Sequence, residues 1–124
     1  MMKLITAIVR PEKLDELIDV VIDNKGHGLT VTEVRGFGRQ FGHLVAGRAD
    51  GADAKATGGA ADRRVALLPK IRLEIVALDD DAETLVEAIA EHAQTDAVGD
   101  GKIWVSTVDS ALRVRTGERD RDAV

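Results

Sequence analysis

The stretch T-V-T-E-V-R-G-F-G-R-Q, residues 30–40, decides how the rest of the chain is read. Its first half alternates β-branched and polar residues, Val31 and Val34 among them, which is the pattern of a half-buried strand. Its second half abandons that alternation for Gly36-Phe37-Gly38-Arg39-Gln40. Two glycines that let backbone approach a ligand are followed at once by a guanidinium and an amide. A strand ending in this way suits an anion, with N–H groups and a cation facing one side. A bend or bulge without a ligand explains a lone Gly-x-Gly equally well, so its purpose has to come from other residues.

Working outward from this strand, residues 3–9 form an apolar run ended by Pro11. Proline is tolerated in a first helical turn, where its missing N–H has no helical partner. Leu14, Leu17, Ile18, Val21 and Ile22 then recur at helical spacing, so residues 12–24 are expected to be an amphipathic helix stopped by Asn24-Lys25-Gly26. Beyond the opening stretch, residues 42–66 are rich in Gly, Ala and Asp without a sustained period, and a loop of that length is either functional or a floppy insertion. Residues 65–78 read as a third strand, and Asp79-Asp80-Asp81 as a turn and N-cap cluster whose charge favours a helix N-terminus more than a metal. A second helix over 82–94 carries Leu85, Val86, Ile89 and Ala93. Gly99-Asp100-Gly101-Lys102 turns the chain into a fourth strand, 103–108, and residues 117–124 read as a polar, mobile tail. The order β-α-β-loop-β-α-β predicts an α+β fold: the ferredoxin-like split βαβ sandwich, with two helices on one face of an antiparallel sheet. One domain, residues 1–116, is expected, with the long loop at about 41–66 and the tail beyond it.

Bulk composition narrows the function. A chain of 124 residues holds one modest core rather than two. The net charge of −5 offers no broad basic surface for nucleic acid or anionic membrane, and the three aromatic residues, Phe37, Phe41 and Trp104, make a poor base-stacking platform. The absence of cysteine removes thiolate catalysis and cysteine metal sites. No apolar run approaches a membrane span and the N-terminus lacks a signal-peptide pattern, so a cytoplasmic protein is expected.

Enzyme chemistry finds few residues to carry it. His27, His43 and His92 are far apart without ligand spacing, and His92 reads as a surface or packing residue of its helix. No nucleophile elbow, Walker-type loop or His-Glu metal motif is present. Cations are better supplied. Arg113 and Arg115, two apart on a segment read as extended, are expected to share a face, while Lys102 follows a Gly-Asp-Gly turn and Arg39 follows the opening glycines. Four such groups in an acidic chain suit a di- or triphosphate if they converge; otherwise each pairs with a surface acid for little energy.

Four segments together resemble a known family. T-V-T-E-V-R-G-F-G-R-Q (30–40), L-P-K (68–70), G-D-G-K-I-W-V (99–105) and R-V-R-T-G-E-R (113–119) are similar, in order, to the signature segments of the PII nitrogen-regulatory signal proteins, and the likeness spans nearly all of the chain outside 43–66. The resemblance implies a homotrimer with nucleotide sites between neighbouring subunits, where ATP and ADP compete and 2-oxoglutarate joins MgATP. By position, Gly36, Gly38, Arg39 and Gln40 would line the phosphate side. Gly99, Asp100, Gly101 and Lys102 would supply amides and a cation, with Arg113 and Arg115 reaching in from the neighbour. Ile8, Thr30, Glu74 and Val76 would surround the adenine, and Gln40 would place its amide oxygen on Mg²⁺. Lys70 with Arg10, beside Gln40, would hold 2-oxoglutarate. The long loop, the family's T-loop, would then be read by a membrane transporter or a regulatory enzyme.

The departures from the family pattern matter as much. The loop is longer than in typical members, and with no tyrosine in the chain, nucleotidylylation of a loop tyrosine is chemically excluded. Ala49 lies where some relatives carry a phosphorylated serine. Arg48 matches the arginine with which relatives plug ammonium channels, but its neighbours differ. Two alternatives stay open: a PII-like sensor of another signal, linked to bicarbonate, AMP or a metal and serving a non-ammonium transporter, and a trimeric scaffold that binds no nucleotide.

Overall fold

The computed structural model describes residues 1–38 and 66–124. Arg39, Gln40, Arg48 and nearly all of the long loop therefore lie outside the described residues. Four strands, β1 (Met2–Val9), β2 (Thr30–Gly36), β3 (Leu68–Leu78) and β4 (Lys102–Thr107), form one sheet in the order β2-β3-β1-β4. Every neighbouring pair is antiparallel, with Ile5 opposite both Ile75 and Val105, and Thr30 opposite Glu74. Helix α1 (Leu14–Asp23), entered through a 3-10 turn at Pro11–Lys13, and helix α2 (Asp79–Ala93) connect the strands. This is the ferredoxin-like arrangement expected from the element order.

Strand alternation explains the placement of the core. Ile5, Ala7 and Val9 of β1 and Ile71, Leu73, Ile75 and Ala77 of β3 point to one face and are buried there against Leu17 and Val21 of α1 and Leu85 and Ile89 of α2. At about 25 cal/mol per Å² of apolar area, burial of these side chains is the main force holding helices to sheet. Glu16 and His92 add a contact between the two helices, Oε2 to Nδ1 at 2.7 Å, half-exposed and so of minor energetic weight. The opposite face presents Leu4, Ile8, Glu74, Val76, Lys102 and Trp104 without a covering helix among the described residues; Val76 and Trp104 keep 38% and 47% of their surface exposed.

Helix ends show local chemistry at work. At the end of α1, Lys25 takes a left-handed φ of 67° and the Gly26 N–H donates to the Val21 carbonyl at 2.8 Å. Any β-carbon at Gly26 would meet the Val21 side chain at 2.2 Å, so the glycine is required by close approach. Helix α2 starts at Asp79, with Leu78 as its N-cap and no side-chain cap, so the three aspartates form the first helical turn instead of a separate capping turn. Their charge still faces the positive helix terminus. No helix among the described residues is long and apolar enough to cross a membrane.

The C-terminal residues depart from expectation. Arg113 and Arg115 are not on an extended segment: residues 114–116 form a turn closed by Gly117 N–H donating to the Arg113 carbonyl at 2.8 Å, with Gly117 at φ 76°. The turn is supported by a bridge between Leu112 and Arg119, and Arg113 is caught by Glu118 at 2.9 Å. The tail read as mobile folds back as a 3-10 turn, Asp120–Ala123, with the Asp120 N–H donating to the Ala111 carbonyl.

Candidate functional site

A cavity of about 530 Å³ opens where four separated stretches meet. Ile8 comes from the end of β1, and Gly36, Phe37 and Gly38 from the end of β2. Lys70 comes from the start of β3, and residues 97–102 with Trp104 from the turn and strand β4. Antiparallel register makes the meeting unavoidable, because Ile8 lies opposite both Arg72 and Lys102 while Gly36 lies opposite Leu68. The ends of β1 and β2 and the starts of β3 and β4 thus share one rim of the sheet.

The turn entering β4 is the best-defined part of this rim. Gly99 and Gly101 have φ of 104° and 106°, a region closed to most side chains. A β-carbon at Gly101 would meet the Ile8 carbonyl oxygen at 1.7 Å, so only glycine fits. Among the described residues the N–H groups of Gly99 and Gly101 have no backbone partner, which leaves them available to an anion.

Asp100 does not offer its side chain to the cavity. Its Oδ2 accepts the N–H of Thr95 at 2.6 Å and of Asp96 at 2.9 Å, and its Oδ1 accepts the Thr95 hydroxyl and Arg10 Nε, the latter at 3.0 Å. The Thr95 hydroxyl and N–H, reinforced by Arg10 and the Asp96 N–H against an opposing burial effect, hold the carboxyl far below the ordinary aspartate range. The expectation that Asp100 binds through the turn thus narrows to its backbone. Arg10 also donates to the Val98 carbonyl at 2.8 Å, and Lys70 Nζ to the Gly99 carbonyl at 2.6 Å. Burial, then the neighbouring Arg10 charge, lower the Lys70 pKa, while Glu12 and Asp100 pull it upward.

Of the residues expected at the site, Ile8, Gly36, Gly38, Lys70, Gly99, Asp100, Gly101 and Lys102 line this one cavity, with Arg10 clasping its turn from behind. Thr30, Glu74 and Val76 do not line it. They form a second group on the open sheet face, where Thr30 opposes Glu74 and Glu74 accepts from Arg72 at 3.2 Å. Arg113 and Arg115 are also absent from the cavity of their own chain, so the four-cation cluster does not form within the described residues. Phe37, Trp104 and Val98 line the cavity without having been expected there. A reader of the sequence had one hint of this: Trp104 is two residues after Lys102 and so on the same strand face.

Comparison with known proteins identifies the family. Residues 2–118 match the family model of the nitrogen regulatory protein P-II. The chain is 47% identical to nitrogen regulatory protein P-II 2 of Methanothermobacter thermautotrophicus, covering 99% of this chain and 97% of the relative. It is 45% identical to nitrogen regulatory protein P-II of Pasteurella multocida, covering 99% and 100%. Among solved structures it resembles Arabidopsis thaliana PII bound to citrate, at 31% identity and a TM-score of 0.73, covering 99% of this chain and 92% of that one. With the match running almost end to end, this chain belongs to the nitrogen regulatory protein P-II family.

Proposed function

We propose that the chain is a cytoplasmic regulator, not an enzyme, that binds ATP or ADP at the glycine-lysine cavity and signals through the long loop at about residues 41–66. One observation carries the reading: Gly36, Gly38, Gly99, Gly101 and Lys102, from separated parts of the sequence, line one cavity with Ile8 and Trp104 beside them. Glycine N–H groups and an ammonium suit phosphates, and the apolar flank suits a flat base. The cavity of a single chain supplies few cations, so the site is completed in a homotrimer, where Arg113 and Arg115 of a neighbour add charge and Thr30, Glu74 and Val76 enclose the adenine.

Arg10 and Lys70 bring two cations to the same rim, which supports a carboxylate ligand, 2-oxoglutarate, joining ATP. The citrate of the Arabidopsis relative belongs to the same chemical class. Mg²⁺ would accompany the phosphates, with Gln40 offering its amide oxygen; oxygen donors of this kind are what Mg²⁺ prefers. A transporter or nitrogen-metabolism enzyme would read the loop, with Arg48 in the contact. Ligands can bias that loop only through different affinities for its alternative states.

Calorimetry with ATP, ADP and AMP, with and without Mg²⁺ and 2-oxoglutarate, tests the reading. Binding of ATP that tightens when 2-oxoglutarate is added supports it, whereas no heat and no change in melting point with any adenine nucleotide refutes it. A ligand at a hundredfold excess over its dissociation constant stabilises by about 2.7 kcal/mol, so the thermal shift is readily seen.

A further inference from the structure

We infer that Glu118 is an internal competitor of the phosphate: its carboxylate holds Arg113 on its own chain, and a nucleotide in a neighbour's cavity has to draw the arginine away from it. The inference rests on the nucleotide reading above and concerns the C-terminal turn, where the two arginines of that reading are not alike.

Arg113 is held twice. Its Nη1 donates to Glu118 Oε1 at 2.9 Å and its Nη2 to the Val124 carbonyl at 3.5 Å. Glu118 is itself fixed to the turn. The Thr116 hydroxyl donates to the same Oε1 at 2.6 Å, and the Glu118 N–H donates to the Thr116 hydroxyl oxygen at 3.2 Å. Arg115, two residues after Arg113, is exposed and has no ion pair among the described residues. The acceptors on Arg113 thus lie on its own turn and tail, whereas Arg115 is ready to meet an anion held by another chain.

The ion pair is not what folds the turn. Backbone bonds do that, from Gly117 N–H to the Arg113 carbonyl, from Arg113 N–H to the Glu118 carbonyl and from Asp120 N–H to the Ala111 carbonyl, each at 2.8 Å. Ala111 N–H adds a bond to Asp120 Oδ1 at 3.1 Å. The Arg113 and Glu118 side chains are 38% and 44% exposed, so parting them costs little. A polyphosphate offers the same guanidinium a stronger, bidentate partner. Exchange of carboxylate for phosphate is then favourable when the site fills and reversible when it empties. The carboxylate lowers nucleotide affinity by what the ion pair is worth, and it keeps Arg113 neutralised while the site is empty.

The experiment titrates full-length wild-type, Glu118→Gln, Arg113→Gln and doubly substituted proteins with ATP by calorimetry, each well below its melting midpoint. Glutamine keeps the length of Glu118 and an acceptor oxygen for Thr116 while removing the charge. The expected result is that Glu118→Gln binds ATP about two- to fivefold more tightly than wild type, the range of an exposed ion pair, and that the same substitution in Arg113→Gln protein brings no gain. An equal gain in both backgrounds overturns the inference, because the lost carboxylate then acts through general charge and not through Arg113. Unchanged or weaker binding in Glu118→Gln overturns it too, the weaker result making Glu118 the group that aims the arginine. Wild-type protein that gives no heat with ATP refutes the nucleotide reading itself, a distinct outcome.

Discussion

At the scale of single residues, the glycines of the rim divide into two kinds. Gly101 is fixed by geometry, since any side chain there would collide with the Ile8 carbonyl and hold a backbone conformation that L residues avoid. Gly101→Ala is expected to destabilise by at least about 2 kcal/mol, read as a lowered urea midpoint. Among the described residues, nothing comes near where a side chain at Gly36 or Gly38 would go, and neither has a strained φ. Alanine at either should leave folding within about 0.5 kcal/mol of wild type and act on nucleotide affinity instead. Asp100 provides a pH test of the same turn. Its carboxyl titrates lower in the folded chain than in the unfolded one, so its contribution is fully present above the unfolded value, near 4, and drains away as the pH falls toward the folded value. Acid unfolding of Asp100→Asn should lack that part of the slope, and a curve that parallels wild type between about pH 4 and pH 2 would contradict the hydrogen bonds assigned here.

At the scale of elements, the sequence revealed most of what periodicity controls. Leu14, Leu17, Ile18, Val21 and Ile22 announced α1, because a helix face repeats at short range; β2 forms where the strand was read, but Val31 stays 39% exposed and only Val34 and Gly36 are partly covered, so the strand is not the half-buried one expected. The rim glycines were legible for the same local reason. Thr95 was not, because its hydrogen bonds depend on a carboxylate five residues away, itself held by a guanidinium just beyond the end of β1, and neither leaves a periodic trace. Arg113 and Arg115 misled because alternation over three residues does not exclude a turn, and Gly117 and Glu118 supplied the reversal. Lys70 shows what a β-strand start can do when it carries a cation into the rim. Its charge is partly desolvated beside Arg10, so keeping it charged costs the folded state stability that returns as pH rises through its lowered pKa toward the ordinary lysine value. Lys70→Met should remove this alkaline gain, keep ATP binding and abolish tightening by 2-oxoglutarate. Calorimetry that finds the tightening intact would assign the carboxylate site elsewhere.

At the scale of the whole molecule, the exposed side of the sheet and the C-terminal turn are the surfaces that the proposed homotrimer would use. Trp104 and Val76 lie half-exposed on a face that no helix covers among the described residues, and Val114 is 93% exposed between two arginines at the tip of its turn. A closed ring brings such a tip to the same place on each neighbour, so every site would combine the cavity of one chain with the arginines of the next. Complementation tests this directly. Chains carrying Lys102→Ala lack the cavity cation, and chains carrying Arg115→Ala lack the neighbour's cation, so each alone should bind ATP weakly. Unfolding the two together in equal amounts and refolding them makes mixed trimers, in which about one quarter of sites pair an intact cavity with an intact arginine. Calorimetry on the mixture should then recover a high-affinity class near that fraction, absent when the two proteins are mixed without refolding. If each site lay within one chain, every site in the mixture would carry one lesion or the other, and no recovery would occur at any mixing ratio.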